Sequence, residues 1–156
     1  MSANEQYIVG VDLGGTNIVA GALTADGTKH LAMRSIPTNS SVGDEGVADR
    51  IVGLVQGVIL DTIEQNHATR RDFIGIGIGA PGPLDRERGI VLVAPNLGWK
   101  DFPLRQRIQD RLNLATAGVC ELPTHITTPE QRSGKTLSSF LFSETQVTSR
   151  WRRPLP

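Results

Sequence analysis

Apolar positions along the first two thirds of the chain follow two different periods. Residues 7–13, Y-I-V-G-V-D-L, form a nearly continuous apolar run closed by an acid, as a buried strand does. Residues 18–24 make a second run, reached across the pair Gly14-Gly15. Asp26-Gly27 is the strongest hairpin signal in the chain and predicts a third strand over 29–36. A polar loop over 37–43 follows, and Asp44 is placed to cap a helix. In that helix Val47, Ile51, Val55, Ile59 and Ile63 recur at i+4 with Leu54 and Val58 beside them, one apolar stripe that ends near Asn66-His67. The period then returns to two. In 73–79, F-I-G-I-G-I-G, the isoleucines share one face of a strand, and the glycines leave the other bare for a helix, a backbone or a ligand. A-P-G-P at 80–83 reads as a rigid loop, 89–94 as a short strand and P-N-L-G-W at 95–99 as a second loop. Pro103 suits the start of a last helix with Leu104, Ile108 and Leu112 on one side.

The order is β-β-β-α-β-β-α. Three strands joined by tight turns before the first helix predict an α/β fold with a mixed β-sheet, since a doubly wound sheet would place a helix after its first strand. Gly14-Gly15 is therefore not a dinucleotide-binding turn, and G-x-G-x-x-G is absent there.

After Leu114 the pattern stops. Residues 1–114 hold 15 of the 17 glycines and all nine aspartates, whereas 115–156 have 12 Ser or Thr and no Asp. The expected division is thus an ordered unit over 1–114 and an irregular C-terminal tail over 115–156. Leu137 to Phe142 is the tail's one compact apolar patch. Ser133-Gly134-Lys135-Thr136 resembles the end of a P-loop, but Pro129 stands where the leading Gly belongs, so chance explains it.

Composition narrows the function. With 16 basic and 16 acidic residues the net charge is zero, which argues against nucleic-acid or membrane partners recruited by bulk charge. No stretch approaches the roughly 20 apolar residues of a membrane span, and 1–6 do not read as a signal peptide, so a cytoplasmic location is expected. Cys120 is the single cysteine and permits no internal disulfide.

The candidate chemistry lies in V-D-L-G-G-T-N at 11–17. A Gly-Gly turn between strands lets backbone N–H groups face outward where a Cβ would block a phosphate. Thr16 adds a hydroxyl and Asn17 an amide, and Asp12 at the strand end can hold a hydrated Mg²⁺. A tight hairpin with Asp12 capping its turn is the plainer alternative.

The surrounding residues go further. I-V-G-V-D-L-G-G-T-N-I-V-A-G-A-L closely resembles the first phosphate motif of ROK family sugar kinases, which share the actin-like (ribonuclease H-like) ATPase fold. I-G-I-G-A-P-G-P-L-D-R-E-R-G-I-V-L-V-A-P-N-L-G-W is similar to that family's segment between the central strand and the sugar cleft. The likeness covers 7–114 and is nearest to bacterial glucokinases and N-acyl-mannosamine kinases.

It implies ATP, Mg²⁺ and a hexose as ligands, with phosphoryl transfer to a sugar hydroxyl, glucose first. It implies Asp12 as the Mg²⁺-linked acid, and Gly14, Gly15, Thr16 and Asn17 as the loop on the ATP phosphates. Gly82 and Asn96 would line the sugar side. Against these stand plainer roles, a turn residue after Pro81 for Gly82 and a loop cap for Asn96. The repressors of the family carry a DNA-binding module ahead of the phosphate motif, for which no room is seen before residue 8.

The resemblance then breaks. In the family the strand after the last helix ends in a Glu-Asn-Asp-type motif whose Asp is the general base. Here A-T-A-G-V-C-E-L-P follows Leu114, with no Asp after Asp110 and no Asn after Asn113, so no catalytic residue is assigned. Glu121 is the nearest carboxylate and a poor match. The zinc motif is missing too, since Cys120 and His125 alone cannot make four ligands. These residues read as the N-terminal lobe of a kinase, truncated or out of frame beyond 114. The alternative function is a non-catalytic fragment, with homo-oligomerisation left open.

Overall fold

The computed structural model describes residues 5–114 and 116–121. Tyr7–Leu13 (β1), Asn17–Thr24 (β2) and His30–Pro37 (β3) form an antiparallel meander. A 24-residue helix, Gly43–Asn66 (α1), leads on to Phe73–Ala80 (β4), which returns parallel to β1. Leu84–Asp85 (β5), Ile90–Ala94 (β6) and Trp99–Phe102 (β7) pair as a small antiparallel sheet. Leu104–Leu112 (α2) is followed by Thr116–Glu121 (β8), parallel to β4. The larger sheet is ordered β3-β2-β1-β4-β8, so β1 lies at its centre and the sheet is mixed, as the tight early turns predicted.

The core forms between this sheet and its helices. Tyr7, Val9, Val11 and Leu13 alternate along one face of β1 and are buried with Val47, Ile51, Val55, Val58 and Ile59 of α1. Burying the α1 stripe this way removes five branched side chains from water, at about 1.5–3 kcal/mol each. Leu104, Ile108 and Leu112 of α2 are buried in the same cluster. Among the described residues no helix is long and apolar enough to cross a membrane.

Three local expectations change. Asp44 does not cap α1. A short 3₁₀ turn, Ser40–Val42, feeds the helix, Val42 occupies the cap without a side-chain bond, and Asp44 with Glu45 lies in the first turn. There the two carboxylates face the positive end of the helix dipole instead. Gly89, expected to open a strand, has φ +70° and closes the turn before β6. Arg70 and Arg88, both exposed, also make structural bonds. The Arg70 guanidinium donates to the Leu112 carbonyl at the end of α2 (2.6 Å), and Arg88 pairs with Asp85 (2.7 Å). Finally, β8 is a strand that the pattern did not mark. Its backbone finds a partner in β4 even though T-A-G-V-C-E carries neither clean alternation nor a continuous apolar run.

Candidate functional site

β1, β4 and β8 run in the same direction, so their C-terminal ends meet at one edge of the sheet. Asp12 lies there, half-buried, with Val19 in register on β2 and Gly79 on β4. Gly79 puts no side chain beside the carboxylate on that strand. The bare glycine face foreseen for 73–79 thus runs alongside Ile8, Gly10 and Asp12.

The loop from Gly14 to Thr16 turns back into β2, and two of its three carbonyls are engaged with the protein. The Gly14 N–H donates to the Asn17 carbonyl (3.0 Å). The Thr38 hydroxyl donates to the Gly14 carbonyl (2.7 Å) and the Thr38 N–H to the Thr16 carbonyl (2.8 Å). By contrast, the N–H groups of Gly15 and Thr16 and the side chains of Thr16 and Asn17 make no hydrogen bond among the described residues, and Gly15, Thr16 and Asn17 are exposed. With the Gly14 and Thr16 carbonyls held by Thr38 and the Gly15 and Thr16 N–H groups uncommitted, the loop has donors to offer an anion. Gly14 is needed for space. A Cβ on Gly14 would come 2.8 Å from the Asn17 carbonyl oxygen.

Thr38 was missed in the sequence, where it fell inside a polar loop. It has 0% exposure, one of four buried polar residues among those described, and both of its bonds go to this loop. Only the register of β3 against β2, ending at Asn17 opposite Pro37, brings it there, so no local signal could have marked it.

The two residues placed on the sugar side are linked to each other and to the loop. Gly82 has φ +88°, and a Cβ there would lie 2.1 Å from the Val93 carbonyl oxygen, so it is both a turn residue and a close contact with the end of β6. β6 runs into the turn Pro95–Leu97, held from below by Leu97 and by Trp99 (1% exposed), whose indole stacks on Phe102 at 4.3 Å. Asn96 projects from that turn. A Cβ on Gly15 would stand 3.4 Å from the Asn96 Cβ and 3.7 Å from its Nδ2, so Asn96 lies directly over the 14–16 loop. Asp12, Gly14, Gly15, Thr16, Asn17 and Asn96 are therefore brought together, with Gly82 behind them.

One carboxylate beside a donor loop suits Mg²⁺, which takes one or two protein carboxylates and completes its shell with water and substrate phosphates. Among the described residues no group of three His, Cys, Asp or Glu forms a protein-only metal cage, so nothing favours another ion. Glu121 follows the Asp12 row by one residue, through Gly79–Cys120 and Ala80–Glu121, at the same edge two strands away or about 10 Å by ordinary strand spacing. His125 and residues 133–136 lie outside the described residues.

The model of the ROK family matches residues 8–119. The chain belongs to the ROK family. Glucokinase of Halalkalibacterium halodurans is 33% identical over 111 residues, 71% of this chain and 32% of that enzyme. The ROK family glucokinase of Streptomyces griseus, solved in complex with glucose and AMPPNP, superposes with a TM-score of 0.59 at 32% identity, over 72% of this chain and 32% of that one. A xylose repressor of Caldicellulosiruptor bescii is 36% identical over 76 residues, 49% of this chain and 18% of the repressor. The chain thus spans about a third of the glucokinases it matches, and its fold is the actin-like sugar kinase fold with a mixed sheet.

Proposed function

We propose that these residues are the nucleotide-phosphate lobe of an ATP-dependent hexose kinase, with glucose as the acceptor. The observation that supports this most strongly is the loop of 14–17, with its Gly14 and Thr16 carbonyls tied back by Thr38, the Gly15 and Thr16 N–H groups uncommitted and Asp12 beside it. When bound, Mg²⁺ would offset charge on the phosphates. The chain's own part is to orient the phosphates through the Gly15 and Thr16 N–H groups and the Thr16 hydroxyl, and to hold the hydrated ion through Asp12.

A sugar hydroxyl is a weak nucleophile until a base takes its proton, and the 156 residues contain no Asp after Asp110. The second reading, a lobe that binds without turning over, rests on that fact. A coupled assay of ADP release with glucose and ATP tests both. The chain is expected to give no glucose-dependent turnover above that of Asp12→Ala. Turnover above that background would show a base within these residues, and Glu121 would be the first to replace.

A further inference from the structure

Asn96 was expected to line the sugar side. We propose that its carboxamide instead binds the phosphate chain, donating an N–H to the terminal phosphate oxygens. This rests on the reading of 14–17 as a phosphate loop and extends it. Three observations carry it. Asn96 is seated on Gly15, with its Nδ2 within 3.7 Å of where a Cβ of that residue would be. Its carboxamide is exposed and makes no hydrogen bond among the described residues, so its donors are uncommitted in the same way as those of Thr16 and Asn17. Its backbone is fixed from behind, because Gly82 presses on the Val93 carbonyl and Trp99 and Leu97 are buried beneath the turn. An uncommitted amide on a fixed turn, directly over a row of outward N–H groups, completes a donor ring that one strand hairpin cannot close alone. A Cβ on Gly15 would stand in van der Waals contact with Asn96, between the loop and the carboxamide.

The test is nuclear magnetic resonance of the full chain titrated with tripolyphosphate in the presence of MgCl₂, reading the backbone amides of 14–17 and the side-chain NH₂ of Asn96. The Asn96 NH₂ signals are expected to move together with those of Gly15 and Thr16, with one affinity. Asn96→Ala should weaken binding by roughly tenfold, the loss of one hydrogen bond to a charged group. Asn96→Asp, which keeps the shape but places a carboxylate against the phosphates, should weaken it further with no change in thermal midpoint. If the loop amides respond while Asn96 does not, or if Asn96 responds to glucose alone and not to tripolyphosphate, the inference is wrong and the phosphate-loop reading stands. If no signal from 14–17 responds, both fall together.

Discussion

A single buried threonine ties the proposed phosphate loop to the end of β3. Thr38 holds the Gly14 and Thr16 carbonyls, and this leaves the N–H groups of Gly15 and Thr16 free for a ligand. Thr38→Val keeps the shape and the N–H bond but removes the hydroxyl bond. It should cost about 1–2 kcal/mol in denaturant unfolding and weaken Mg·AMPPNP binding severalfold in the same protein. An unchanged affinity would mean that the loop orients itself. Gly82 offers a sharper contrast. At φ +88°, with the Val93 carbonyl 2.1 Å from a built Cβ, Gly82→Ala should destabilise the chain by about 2 kcal/mol or more. A Gly82→Ala variant with wild-type stability in the same unfolding experiment would contradict the contact with β6. Both effects were only partly visible in the sequence. The turn Pro81-Gly82 could be read locally, but the partner of Gly82 lies eleven residues on and that of Gly14 twenty-four, and such contacts leave no local pattern.

At the scale of elements, long periodic segments were the legible ones. The α1 stripe and the run of 7–13 are where the apolar period placed them, because burial against one another is what that period encodes. The ends of elements were less legible. Asp44 competed for the cap and lost to a 3₁₀ turn, and β8 was invisible because its pairing depends on an exposed edge of β4 and not on its own residues. α1 also carries a testable surplus. Gly53 sits mid-helix, and a Cβ there would touch nothing within 4 Å. Gly53→Ala should therefore raise stability by about 0.5–1 kcal/mol, the helix-propensity gain without a steric cost, read as a higher thermal midpoint. A lowered midpoint would show that the helix face needs that space.

At the scale of the whole molecule, charge is balanced and local carboxylates carry the pH response. Hydrogen bonds from the Thr24 hydroxyl and from Thr28 hold the Asp26 carboxyl at about 2, below its ordinary 3.8. Asp61 is lowered by its bond from Arg34, and Asp85 by the Arg88 N–H and guanidinium. Carboxyls lowered in the folded state contribute stability above their unfolded values and lose it as the pH falls through the folded ones. The thermal midpoint should therefore drop between about pH 4 and pH 2, and Asp26→Asn should flatten that slope. A slope unchanged in the variant would assign the acid response to other groups. The architecture also explains why the family could be read from the sequence while the activity could not. The phosphate half of the site is contiguous over 11–17, whereas a kinase site needs groups from parts of the relatives that this chain, about a third of their length, does not span.

The most direct test is calorimetric titration of the chain with AMPPNP, with and without Mg²⁺, in the wild type and in Asp12→Asn. Mg²⁺-dependent binding to the wild type, lost by tenfold or more in Asp12→Asn, is the predicted result. Binding that is indifferent to both Mg²⁺ and Asp12, or no binding to the wild type, would contradict the assignment of 12–17 as a nucleotide-phosphate site.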